Sequence, residues 1–540
     1  MSSEDQFDYV IVGAGAAGCV LASRLTEDES STVVQLEAGP DNKHLYLRIP
    51  AGFTKIVGSP KFAWRFQTEP TESLGGRTIG LTQGRVVGGG TSINGMVAVR
   101  GQREDYESWA REGAEGWNYA GVLPYFRKLE KMRDASSEVR GNTGEFEIAT
   151  ATLRNPACDA FIEAAAAAGV PKHADYNGED QESVCYTQQA IKGRFRVSSA
   201  TSFLSKARKR PNYRLVTEAR ADKILFEGKR AVGVRYRLPD GSVRTVRARR
   251  EVILSGGAIN TPRLLQISGI GPADWVRALG VDVVADLPVG RNLRDHYLIV
   301  MKAKAEGFPS INRIAKGPAL WGQIGLWLLN RPSILTMGPA YVSYFIKSNP
   351  SLPVPDIQGM FTPGSYRSRE GGRSFDDYLG MACGIWQHRP YSVGEVKAQS
   401  TDISVQPLIR PNYLADERDH PVVIAAMKFA RKMFESPQMA KFKPIETAPG
   451  PEVQTDQEWL DYAREVGSTA YHPMGTARIG RVGDPAAVLD PMLRVQGVEG
   501  LRVADSSVMP TMPSGNLAVP SMMIGEKGAD LIRGRTIPNA

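Results

Sequence analysis

Cysteine is scarce: Cys19, Cys158, Cys185 and Cys383 are the whole supply in 540 residues. No two form a CxxC pair, and no histidine stands at ligand spacing from any of them. That excludes a disulfide scaffold, a thioredoxin-like redox motif and a zinc finger, and no metal site is expected. Free buried thiols in a reducing compartment follow. Long apolar runs are also missing. The longest candidate, ALWGQIGLWLL from Ala319, falls short of the roughly 18 residues of a spanning helix and contains Gln323. The opening MSSEDQFD is acidic and leads straight into a strand-like segment, unlike a cleaved leader. A cytoplasmic protein without a transmembrane segment is expected. Blocks of like charge are absent too, since 66 basic residues are scattered among 58 acidic ones for a net charge of +8. The densest basic run, KARKRPNYR from Lys206, is short and reads as solvated surface, so nucleic acid is not an expected partner. No internal repeat is found, and the one low-complexity tract, EAAAAAG near Glu163, reads as helix.

What is present begins at Phe7, with FDYVIVGAGAAGCVLASRL. Tyr9 to Val12 has the β-branched character of a buried parallel strand. Gly13, Gly15 and Gly18 then fit GxGxxG. Gly13 serves the tight turn, Gly15 the approach of a pyrophosphate to the backbone, and Gly18 the packing of helix on strand. Ala16 to Leu25 reads as the helix whose first N–H groups receive a diphosphate. A second strand, Thr32 to Leu36, ends at Glu37, about twenty residues on, where an acid meets a ribose 2′-hydroxyl and rejects a 2′-phosphate. The pattern predicts dinucleotide binding; alone it does not choose between FAD and NAD. At this length the chain should form at least two domains.

The choice comes from GRVVGGGTSINGMV at 84–97 and GAINTPRLLQISGIG at 257–271, followed by YHPMGTARIG from Tyr471 and LRVADSSVMPTMPSGN from Leu501. These four segments, in this order, resemble the signatures of the glucose–methanol–choline oxidoreductase family, and the resemblance runs from Phe7 to about Ile532. It implies an α/β fold: a Rossmann-like FAD-binding domain under a β-sheet cap that binds substrate. It implies that Val86, Asn94, Gly95, Met96 and Val97 line the flavin and pyrophosphate, and that the Ala221 backbone faces the adenine. Ser255, Gly256 and Gly257 would lie near the nucleotide, Asp505 near the ribityl chain or pyrophosphate, and Tyr471 on the cofactor wall. Some members attach FAD through a histidine just before the asparagine of the first signature. Here that residue is Ile93, so non-covalent FAD is expected.

Of the six histidines, His472 stands in a rigid turn, with Tyr471 before it and Pro473, Gly475 and Thr476 after it. In the family the matching histidine faces the reactive edge of the flavin. Oxidising an alcohol removes a proton from oxygen and a hydride from carbon, and a neutral imidazole suits the proton. The family places a histidine or an asparagine at position 516, and here it is Asn516. An amide cannot act as a base, but it can donate a hydrogen bond to the substrate oxygen. Asn516 could equally cap the helix-like LAVPSMMIGEKGADLI that follows. Asp295 and His296, in VGRNLRDH from Val289, read as holding a turn. His44, His173, His388 and His420 read as surface or core residues.

The cofactor motifs are dispersed, so one FAD-binding domain is expected from 6–150, 211–300 and 466–540. Residues 151–210 and 301–465 are left for the substrate domain. Trp64, Trp321, Trp327, Trp386, Tyr341, Tyr344 and Phe361 could wall the substrate pocket, though each also reads as core. No carboxylate cluster marks a cage for a quaternary amine, so choline is not favoured, and a primary aromatic or long-chain alcohol is expected. Oxygen or another electron acceptor could complete turnover; small Ala470 leaves oxygen room to approach. A lyase or a light-driven decarboxylase on the same FAD-binding fold is the competing reading.

Overall fold

The computed structural model describes residues 5–132, 138–369 and 372–535. Glu370 and Gly371, and residues 133–137 and 536–540 of the expected FAD-binding segments, lie outside that range.

Two large sheets organise the chain. The first has the strand order Tyr213–Val216, Val33–Leu36, Asp5–Val12, Val243–Leu254, Arg230–Arg237, Arg220–Glu227, with Leu501–Val503 also pairing Val243–Leu254. Asp5–Val12 runs parallel to both Val33–Leu36 and the end of Val243–Leu254, and Leu501–Val503 is parallel to that same end. The three strands from Arg220 to Leu254 form an antiparallel meander. Strand Asp5–Val12 sits centrally because its second half is apolar on both faces, as a sheet covered on both sides requires.

The chain leaves this strand through Gly13, whose φ is +103° and whose missing Cβ would stand 2.3 Å from the Ser255 carbonyl oxygen. Only glycine fits there. Helix Ala16–Leu25 then lies against the sheet, and a Cβ on Gly18 would come within 2.2 Å of the Gly13 carbonyl oxygen. Helix Ala518–Ile532 packs beside Ala16–Leu25. The buried Arg24 guanidinium reaches the fully buried Glu526 carboxylate, with Nε at 3.0 and 2.9 Å from its two oxygens.

The second sheet is antiparallel, in the order Ile445–Ala448, Tyr297–Lys304, Gly380–Gln387, Ile357–Thr362, Val342–Ile346, Ser183–Tyr186. Strand Tyr297–Lys304 belongs wholly to it, so the boundary expected at residue 300 falls inside a strand of this sheet. Side chains alternate across this sheet. Ile299, Met301, Phe361 and Ile385 join helices Pro156–Ala167, His420–Phe434 and Asp456–Val466 in one core. Their neighbours Leu298, Met360, Thr362 and Trp386 point the other way, into a cavity between the sheets. Tyr344 and Phe361 are core, and Trp321, expected as core or pocket wall, is 74% exposed. All four cysteines are free and buried.

Candidate active site

The cavity holds about 1830 Å³. A pocket for one small ligand measures roughly 300–1,000 Å³, so this one has room for a dinucleotide and a further molecule. Its floor is built from Gly13, Gly15, Ala16, Glu37, Asn94, Gly95, Met96, Val97, Ala221, Ser255, Gly256, Gly257 and Asp505. Its far end reaches Ala470, Tyr471, His472 and Asn516. The two ends of the chain thus meet at one site. Gly18 and Val86 are not on its wall. Gly18 sits in the strand–helix contact described above, and Val86 is buried with Leu47, Ile56 and Ile93 in a small separate core.

The floor suits an anionic dinucleotide such as FAD. No side chain caps helix Ala16–Leu25 or helix Gly257–Ile267, and neither has an acid in its first turn. Both begin at the cavity, where their N-terminal partial positive charge favours phosphate. A Cβ added at Gly90 or Gly257 would meet no protein atom within 4 Å, so both glycines keep backbone open to a ligand. Glu37 accepts from the N–H groups of Ala14 and Gly39, each at 2.8 Å, and burial pushes its carboxyl up. The acid braces the glycine loop while it faces the cavity. Asn94 Oδ1 accepts from Met96 N at 3.0 Å and from Arg196 Nη1 at 2.8 Å. Arg196 is buried, and its guanidinium is pushed down to about 9 by desolvation. Asp505 accepts from Gly257 N at 2.8 Å, Thr261 Oγ1 at 2.7 Å and Ser507 N at 2.8 Å, and burial raises its pKa.

At the other end, Asn516 Nδ2 donates to His472 Nε2 at 3.1 Å. Asn516 does not cap the last helix; Leu517 occupies that position with no side-chain bond. The Asn516 amide oxygen accepts from Gln358 Nε2 at 3.3 Å. The preceding turn is pinned by Asp105, which accepts from Ser514 N at 2.7 Å and Oγ at 2.9 Å.

His472 is held from behind. Its backbone N–H donates to Asp295 Oδ1 at 2.7 Å, and Tyr471 before it takes φ +66°. Asp295 is buried and also accepts from Tyr413 and Thr469 hydroxyls; desolvation still pushes it up to about 6. His296 is not merely a turn residue. Its Nδ1 lies 2.9 Å from His472 Nδ1, and its Nε2 lies 2.7 Å from the His388 carbonyl oxygen. A carbonyl only accepts, so His296 carries its proton on Nε2 and presents a bare Nδ1. His472 must then hold its proton on Nδ1 and turn a bare Nε2 toward the cavity. Burial keeps both rings neutral: His296 falls to about 4, and His472 lies well below the ordinary value, through desolvation and then the neighbouring His296. The sequence signal for this pair is that His296 ends the VGRNLRDH segment; Gln358 and Arg196 carry none.

A nucleotide-binding fold with a parallel βαβ start, a β-sheet roof and a half-buried imidazole–amide pair between them define a flavin-dependent oxidoreductase that acts on the CH–OH group of alcohols. The family model for GMC oxidoreductases matches residues 7–298 in its amino-terminal part and 390–525 in its carboxy-terminal part, and the chain belongs to that family. It is 41% identical to human mitochondrial choline dehydrogenase, over 99% of this chain and 91% of that one. It is 39% identical to the alcohol dehydrogenase [acceptor] of Pseudomonas putida, over 97% of this chain and 95% of the relative. Among solved structures it is similar to pyridoxine 4-oxidase from Mesorbium loti, with TM-score 0.88, 26% identity and coverage of 98% of this chain and 99% of the other. No helix among the described residues is long and apolar enough to cross a membrane.

Proposed function

We propose that this chain oxidises a primary alcohol with an apolar chain or ring to the aldehyde, with His472 Nε2 as the base and Asn516 as a donor to the alcohol oxygen. The observation that carries this reading is the direction of the hydrogen bonds through His388, His296 and His472, which leaves the His472 lone pair facing the cavity. The alcohol hydroxyl takes the place of the Asn516–His472 contact. Its O–H donates to Nε2, and its oxygen accepts from Asn516 Nδ2. As the proton moves to Nε2, the amide N–H opposes the negative charge gathering on oxygen. Bound FAD supplies the acceptor for the hydride from carbon. The glycine loop, Glu37, Asn94 to Val97, Ala221, Tyr471 and Asp505 hold it without a covalent bond, since Ile93 offers no nucleophile.

The substrate class follows from the cavity's roof. Leu298, Ile311, Leu320, Ile324, Met337 and Met360 line it, and the carboxylates among the described lining residues are Glu37 and Asp505. Both are occupied by backbone N–H groups at the cofactor end. A quaternary amine such as choline, named for the human relative, finds no further carboxylate among the described lining residues. The division of labour between domains is proposed with the strand Tyr297–Lys304 moved into the substrate domain.

An anaerobic panel of aliphatic, aromatic and choline-type alcohols tests the reading. Bleaching of the flavin by long or aromatic primary alcohols is expected. A flavin that stays oxidised during turnover points to the lyase alternative, and bleaching by choline alone overturns the substrate class. Return of colour in air then separates oxygen from another electron acceptor.

A further inference from the structure

Helix Gly317–Leu328 breaks the usual rule for a surface helix. Such a helix keeps one apolar stripe inward and is polar outside. Here Leu320, Ile324 and Trp327 line the cavity, while Trp321, Leu326, Leu328 and the following Leu329 face out, at 74%, 38%, 59% and 74% exposure. The helix is apolar on both sides. Polar contacts hold it in place from within. Trp327 Nε1 donates to the Arg194 carbonyl oxygen at 3.1 Å, Arg194 donates back to the Trp327 carbonyl at 3.0 Å, and Gln323 Oε1 accepts from Ile334 N at 3.0 Å. Leu45 and Tyr46, 57% and 43% exposed, lie on the wall of the same cavity and add two more exposed apolar side chains at its rim. A cluster of exposed apolar side chains marks an interface.

The charged residues nearest to it in sequence have one sign. Residues 307–355 contain no acid, and neither do residues 42–68. Arg313, Lys316 and Arg331 flank the helix, and Arg48, Lys55 and Lys61 flank Leu45 and Tyr46, all exposed. Apolar side chains including a tryptophan, ringed by cations, match the chemistry of an anionic lipid surface. A second copy of the chain fits less well, because a two-fold interface would set these cations against one another.

We propose that this face docks on an anionic bilayer, with helix Gly317–Leu328 lying flat in the headgroup region above the cavity. At 12 residues the helix is far too short to span, but long enough to lie in the interface. Its outward leucines and Trp321 enter the acyl boundary while its inner face still roofs the cavity. An apolar alcohol then passes from lipid to the site without crossing bulk water. The docking stands independently of which alcohol is oxidised.

Flotation of the flavin-loaded protein with vesicles tests this. Vesicles of equal parts phosphatidylcholine and phosphatidylglycerol should carry the protein up at low salt, and phosphatidylcholine alone should carry much less. The triple variant W321S/L328S/L329S, whose side chains do not line the cavity, should lose roughly tenfold or more of that binding while keeping its melting temperature and flavin. Separately, R313E/R331E should weaken binding to the anionic vesicles and flatten its salt dependence. Wild-type protein that stays unbound overturns the proposal, as does a triple variant that floats unchanged. A concentration-dependent dimer abolished by the triple variant, without vesicle binding, would assign the face to a second copy instead.

Discussion

His296 and His472 face each other through their Nδ1 atoms at 2.9 Å, and only one of the two can carry the proton between them. The His388 carbonyl decides which, since it takes the Nε2 proton of His296 at 2.7 Å. The relay makes His296 a positioning residue for the proposed base. Its effect is to choose the tautomer of His472, as a hydrogen-bonded partner does for any imidazole.

Removing the base or the amide has distinct expected sizes. His472→Ala should slow anaerobic flavin reduction by about 10²–10⁴-fold, the usual loss for a general base. Asn516→Ala should cost about 10²–10³-fold, as for one oxyanion donor. Stopped-flow absorbance reads both, and an unchanged rate in His472→Ala would refute its role.

His296→Ala leaves the His472 Nδ1 proton without its acceptor and frees the ring to put the proton on Nε2. Loss of one buried hydrogen bond is worth about 1–3 kcal/mol, so a rate decrease of roughly ten- to a hundredfold is expected. His296→Gln, which can accept and donate at similar positions, should recover part of it. A purely structural role would instead lower the melting temperature of both variants alike and leave the pH profile of the remaining activity unmoved.

Acid should act late on the reaction. An imidazole whose pKa is lowered in the fold stays neutral where a free one is already half protonated, so the flavin reduction rate should hold level through pH 6.5 and fall only in more acid solution. Stability follows the same sign. His296 titrates near 4 in the fold against 6.5 when free, so its contribution is complete above 6.5 and is lost as pH falls toward 4. Asp295, pushed up to about 6, works in the opposite sense. Chemical denaturation followed across this window, with wild type and His296→Gln compared, checks the assignment.

The cofactor should leave with the fold. Denaturation in detergent and filtration should release all yellow colour from the polypeptide, because Ile93 has no atom to bond it. Gly13→Ala should yield colourless or insoluble protein, since its new Cβ would collide with the Ser255 carbonyl at a φ of +103°. Flavin absorbance per mole of protein measures both.

The local parts of this molecule were legible in the sequence. Helix Ala16–Leu25 matches its expected bounds, because a glycine turn and an apolar run define it without distant help. The segments at 84–97, 471 and 516 are legible as motifs, and the structure brings residues of each to one cavity. What escaped depends on pairing at a distance. His296 and His472 are 176 positions apart, and nothing local to either announces the other. Trp386 and Trp321 look alike in sequence, yet strand alternation turns the first into the cavity while the second stands in the open. Asn516 looked able to cap a helix that in fact begins one residue later, which frees its amide for His472.

The contact between Arg24 and Glu526 joins positions 502 residues apart, and it clamps the helix that opens the nucleotide loop. On a ribosome the first of these partners is made early and must wait for almost the whole chain. Until the later segment emerges, the loop lacks its buttress and the strand at Leu501–Val503 is not yet beside its neighbour. Flavin loading is therefore an event of the finished polypeptide, and a nascent or truncated chain should emerge from synthesis unpigmented.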